Sequence, residues 1–155
     1  MEKNDIILIH GTNYKVMAKK VMEAANVAED IGDKKKKIAL KPNLVTAKAP
    51  SSGATTHSEL LAGVIEYLQE HGFENITIME GSWVGDRTGE AFRAAGYDMV
   101  CARYGISEKH LCIADVDEVG PVVILDSIVV WIDVLAHAVS GTGMATVTHT
   151  ETQSV

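Results

Sequence analysis

Short apolar runs alternate along this chain with segments whose apolar residues recur every three or four positions, and this alternation constrains the fold more than any other feature. Ile6 to Ile9 read as a buried parallel strand closed by His10 and Gly11. From about Tyr14 to Glu29, Val16, Met17, Val21, Ala24, Ala25 and Ala28 keep the spacing of an amphipathic helix, which Gly32 ends. Ile38 to Leu40 read as a second strand, stopped by Pro42, and Ile76 to Met79 as a third. Between them, Thr56 and Glu59 have capping-box spacing, Leu60, Leu61, Val64, Ile65 and Leu68 line one helical face, and Gly72 stands where a left-handed C-cap belongs. A further helix runs from Asp86 or Thr88 to about Ala95, with Phe92 as its core residue. Strand and helix in alternation predict an α/β fold, an open and mainly parallel sheet with flanking helices.

The end of the chain changes character. All 14 Lys and Arg residues lie at or before Lys109, whereas Asp115, Asp117, Glu118, Asp126, Asp133 and Glu151 follow without a basic residue. Val122 to Leu125 and Ile128 to Ile132 still read as strands around an Asp126-Ser127 turn, but "GTGMATVTHTETQSV" offers little to bury. The expectation is a single α/β domain over residues 1–140 and a loose, irregular tail over 141–155.

A formal net charge of −7 speaks against a nucleic-acid partner, which needs a basic face to displace counterions. The one dense basic run, Lys34 to Lys37, reads as a solvated strand entrance rather than a phosphate patch. Cys101 and Cys112 form neither a disulfide framework nor a C-x-x-C motif, so a reducing cytoplasm is expected. The apolar stretch after the N-terminal charges is too short for a signal-peptide core. The most apolar window, Pro121 to Val139, carries Asp126 and Asp133 inside it, so no membrane span is expected.

Ligands of parallel sheets tend to bind beyond the carboxyl ends of the strands, beside helix N-termini. Here that edge receives His10, Gly11 and Thr12 from the first strand, Lys41, Asn43 and the loop to Thr55 from the second, and Glu80, Gly81 and Ser82 from the third. Lys41 can hold a phosphate or carboxylate, or simply be solvated. Asn43 can bind a ligand or make an Asx turn. Thr56 is most economically a helix cap, leaving Thr55 and His57 to face whatever occupies the helix N-terminus; His57 is either a general base, a ligand or a surface histidine. Glu80, directly beyond an apolar strand, suits proton transfer or metal binding, with a plain loop acid as the alternative. Gly81 and Gly85 bracket a segment that can nest an anion, and Trp83 can cover it. No dinucleotide or P-loop glycine pattern is present.

Two other constellations are weaker. His137, His149 and Asp133 have the residue types for a metal but not its spacing. Ser82, His57 and Glu80 have the types of a hydrolytic triad without a nucleophile elbow.

"LKPNLV" (40 to 45), "GATTHSELLAGVIEYLQEHG" (53 to 72), "ITIMEGS" (76 to 82) and "AFRAAGY" (91 to 97), in that order, resemble a bacterial and archaeal family, the domain of unknown function 362. The resemblance spans roughly residues 5 to 110, with an echo at "VVILDSIVVWIDV" (122 to 134). It implies an α/β fold, and some members carry a ferredoxin-like module with iron-sulfur cysteines. The expectation for this chain is that it holds no cluster alone. The family continues with a lysine- and histidine-bearing segment and a second half, so this sequence reads as the N-terminal part of a longer family domain, truncated or shifted in frame.

These readings converge on a cytoplasmic domain that binds a small anionic molecule or a metal, with Lys41 and Glu80 as the reactive pair and Asn43, Thr55, Thr56, His57, Gly81 and Ser82 around it. The alternatives are a redox accessory domain working with a ferredoxin-like protein, or an inactive domain that buries an exposed strand edge as a homo-oligomer.

Overall fold

The computed structural model describes residues 7–82, 87–110, 127–133 and 143–149. In chain order they form strand β1 (Ile9–Gly11), helices α1 (Tyr14–Ala24) and α2 (Val27–Ile31), β2 (Lys37–Pro42), a 3-10 turn at Pro50–Ser52, α3 (Ser58–Glu70), β3 (Ile76–Glu80), α4 (Thr88–Ala95), α5 (Tyr97–Tyr104), β4 (Ser107–His110), β5 (Ser127–Asp133) and β6 (Gly143–His149). The strands make one sheet in the order β1-β6-β5-β2-β3-β4. β5, β2, β3 and β4 are parallel, and β6 joins antiparallel to both β5 and β1. This is the mainly parallel α/β architecture that the alternation of patterns predicts.

The helices form one layer. α1 packs on α3 and α3 on α5, as expected when successive right-handed crossovers advance in one direction across a sheet. Strand residues with their side chains toward that layer, Ile38 and Leu40 from β2 and Ile76 and Ile78 from β3, are buried in one cluster with Val21, Met22, Leu61, Ile65, Leu68 and Phe92. The alternate positions Ala39, Thr77 and Met79 are only partly covered.

Helix boundaries follow local chemistry. Asn13 caps α1, its side-chain oxygen accepting from Val16 N–H at 3.1 Å. The single expected helix from Tyr14 to Glu29 is broken, because Asn26 adopts φ 52° and splits it into α1 and α2. α3 ends as expected. Gly72 at φ 83° donates to Gln69 O and Phe73 N–H reaches back to Leu68 O, the paired bonds of a Schellman motif.

Four other expectations need correction. Among the described residues the first strand lies at Ile9–Gly11, with Ile7 and Leu8 outside it, and it is an antiparallel edge strand, because the strand that reaches it comes from the far end of the sequence. His10 and Gly11 therefore belong to the strand itself, separated from β2 by β6 and β5. Pro42 closes β2 from inside, opposite Ile132 of β5, since its missing N–H matters little at a strand end. Gly143–His149, read as part of a loose tail, forms β6, because ladder bonds use backbone groups and need no apolar side chain. The expected strand Val122 to Leu125 lies outside the described residues. α5 and β4 add elements that the pattern did not reveal.

No helix among the described residues is long and apolar enough to cross a membrane.

Candidate functional site

β2 and β3 run side by side with Leu40 opposite Ile78, so their carboxyl ends come together. That register brings Lys41 to Glu80, and the Lys41 ammonium donates to Glu80 Oε2. The second carboxylate oxygen accepts the Gly81 N–H at 2.9 Å. The pair is asymmetric: 10% of the Glu80 side chain is exposed against 32% of Lys41. Solvent thus reaches the lysine side chain more than the nearly buried glutamate, and the two residues expected to act as a pair meet.

The loop from Asn43 to His57 is closed at its base by a set of polar bonds. Leu44 and Thr55 form an isolated antiparallel bridge, Thr56 N–H donates to Asn43 O at 2.9 Å, and Asn43 N–H donates to Thr56 Oγ1 at 3.0 Å. The Asn43 amide reaches across to Ala54 O at 3.2 Å, and the Thr55 hydroxyl to Lys48 O at 3.4 Å. Asn43 is thus bonded to both Ala54 and Thr56 across the base of the loop. It clamps the loop.

Thr56 is not the helix cap that its spacing implied. Its hydroxyl is taken by Asn43, thirteen positions away in sequence, and α3 starts one residue later with His57 at the cap position and no side-chain cap bond. His57 stacks on Tyr14 of α1, ring centroids 4.2 Å apart and 15° from parallel. Burial pushes its imidazole below the usual value, against a smaller opposing pull from Glu59. It stays neutral near pH 7, a condition for a base or ligand that also suits a packing role.

Beyond β3, the buried Ser82 is tied to the start of α4. Its N–H donates to Thr88 Oγ1 at 3.2 Å, and the two hydroxyls lie 3.2 Å apart. This partnership anchors the loop and does not build the paper triad of Ser82, His57 and Glu80: Glu80 is held by Lys41 and Gly81, and His57 stacks on Tyr14. Trp83, Gly85 and His137 lie outside the described residues, and of Asp133 and His149 only the strand positions are described. Among the described residues, no group of three or more His, Cys, Asp or Glu side chains is placed to hold a metal.

Sequence reading missed one member. Tyr97, the first residue of α5, is fully buried, and its hydroxyl donates to Thr56 O at 2.8 Å and lies 3.5 Å from Asn43 O. Burial drives this phenol far above its usual pKa, the Thr56 bond pulls the other way, and the nearby Glu80 charge raises it again. The signal was present in "AFRAAGY", where an aromatic follows the helix-ending Gly96, which adopts φ 77°. Cys101 is a buried free thiol raised to about 12, chiefly by burial and then by Glu108, so it is a poor nucleophile and a poor ligand.

The fold and this edge define an α/β domain whose polar residues gather at the carboxyl ends of adjacent parallel strands. The chain belongs to the family described as Domain of unknown function (DUF362), which matches residues 38–145, from the start of β2 into β6. No curated protein and no solved structure matches it.

Proposed function

We propose that this domain binds a small anionic ligand at the carboxyl edge of β2 and β3, with Lys41 as the cation that meets it. One observation carries the reading: of the paired Lys41 and Glu80 side chains, the lysine is the one solvent reaches and the carboxylate is nearly buried. An anion approaching the edge encounters positive charge first, close to the start of α3, whose first-turn amides favour the same sign. Glu80 holds the lysine in place in the empty site and competes with an arriving anion for its ammonium. Asn43, Thr55, Thr56, Gly81 and Ser82 set the loops that frame the pair, and His57 stands as a neutral ring at the start of α3. A reducing cytoplasm suits a chain whose described cysteine is a free thiol.

The test uses inorganic phosphate as the probe in isothermal titration. Lys41→Met weakens binding at least tenfold, while Glu80→Gln removes a carboxylate that competes for the ammonium and tightens it several-fold. These opposite signs are the signature of the reading, and equal affinity in all three proteins overturns it. Parallel titration with manganese distinguishes the metal alternative, for which Glu80→Gln abolishes binding and Lys41→Met strengthens it.

A further inference from the structure

Lys41 and Glu80 are strand residues, paired on their outer sides with Trp131 of β5 and His110 of β4, and a separate loop leaves each strand just beyond them. Direct pairing between β2 and β3 stops earlier than the strands do. The last paired position of β2 with β3 is Leu40 with Ile78, short of both charged residues.

Beyond that point a series of contacts joins the loops by way of Tyr97. Its hydroxyl donates to Thr56 O, and Thr56 is bonded through N–H and Oγ1 to Asn43, two residues after Lys41. The ring of Tyr97 stands edge-on to Phe92 of α4, with centroids 5.5 Å apart and planes at 86°. α4 in turn begins at Thr88, whose hydroxyl takes the N–H of Ser82, two residues after Glu80. A chain of contacts therefore runs from Lys41 through Asn43, Thr56, Tyr97, Phe92 and Thr88 to Glu80.

We propose that Tyr97 is a positioning residue: its buried hydroxyl pins the β2 loop to the α4–α5 pair and so sets the geometry in which Lys41 meets Glu80. The proposal deepens the anion-binding reading of that pair, yet it concerns the geometry of the pair itself, which can be measured without any ligand. A buried phenol donating its one proton to the Thr56 carbonyl is a rigid node, since leaving that pair unsatisfied is costly. Removing the oxygen while keeping the ring leaves the core volume nearly unchanged and takes away the donor to the Thr56 carbonyl.

The experiment is a double-mutant cycle, read by urea denaturation, between Lys41→Met and Glu80→Gln, first in the natural background and then with Tyr97→Phe. The expected result is that the coupling between Lys41 and Glu80 falls by at least half when the hydroxyl is removed. Hydrogen exchange at the Asn43 and Thr56 amides should rise at least tenfold more than exchange in the middle of α3. Phe92→Leu serves as the control: it loosens the core but keeps the hydroxyl, and the coupling should persist. If Tyr97→Phe lowers stability evenly and leaves the coupling intact, Tyr97 is only a core residue and the proposal fails. If Phe92→Leu abolishes the coupling as fully as Tyr97→Phe does, packing alone holds the pair and the hydroxyl has no special role. Failure of phosphate titration in the natural protein would overturn the anion-binding reading while leaving this coupling test decisive for Tyr97.

Discussion

The α1–α3 interface and the loop from Asn43 to His57 hold the same helix by different means. Along the interface, backbone comes close to backbone: Gly63 faces the Lys15 carbonyl, and a Cβ there would lie 2.8 Å from Ala18 Cβ. Met17, Ala18, Val21 and Met22 are buried on one side and Leu60, Leu61 and Val64 on the other. In the loop, by contrast, Thr55 and Thr56 are buried and the order comes from individual hydrogen bonds. Volume decides the first region and polar satisfaction the second, so each should fail under a different kind of substitution.

The sharpest way to break the contrast is Gly63→Ala. Its methyl group has no room against the Lys15 carbonyl, and we expect a loss of about 3 kcal/mol in urea denaturation, with the loop bonds unaffected. Thr56→Val is the complementary change, keeping shape and deleting the acceptor of the Asn43 N–H. It should cost roughly 1–2 kcal/mol, with faster hydrogen exchange at Asn43 rather than in the first turn of α3. An effect confined to that first turn would restore the capping role.

Acid should probe the junction of the two regions, where Tyr14 of α1 stacks on His57. Because burial lowers the folded-state value of His57 below 6.5, the unfolded chain binds the proton more readily. Its contribution is complete above that pH and is lost as pH falls through the folded value. Stability should therefore begin to decline on acidification below about 6.5, and His57→Phe, which keeps the stack, should flatten that part of the profile. The rim of the helix interface titrates later. Burial pushes the Glu66 carboxyl up, but bonds from Lys15 and Tyr104 and the Lys15 and Lys19 charges outweigh it, so the net value lies below 4.5. The stability from Glu66 is accordingly lost only as pH falls below that. The smallest effect should be Lys19→Ala. It removes the exposed pair with Glu70 at 2.6 Å, and a change above about 0.5 kcal/mol would show that the rim contributes more than its exposure implies.

Both regions were partly legible beforehand. The apolar stripe of α3, its Gly72 ending and the strands β2 and β3 rest on local periodicity and on backbone conformations that few residues adopt, and both are written in sequence. Lys41 and Glu80 could be placed at strand ends for the same reason. Their partnership could not, because it depends on which strand lies beside β2 and in what register. Thr56 shows the limit most clearly: the spacing to Glu59 is that of a capping box, but a partner thirteen residues away took the hydroxyl first. Tyr97 was overlooked because "YDMVCARY" carries only a weak helical stripe, so α5 and its first residue had no visible face.

The sequence by itself determined the α/β class, the main helix and the candidate edge, since these follow from side-chain period and backbone preference within a few neighbours. Only the tertiary structure decided the antiparallel partners of β1, the strand at Gly143–His149, the pairing of Lys41 with Glu80 and the place of Tyr97. Those depend on contacts between residues far apart in the chain, whose selection is set by the packing of the whole domain and not by any local pattern.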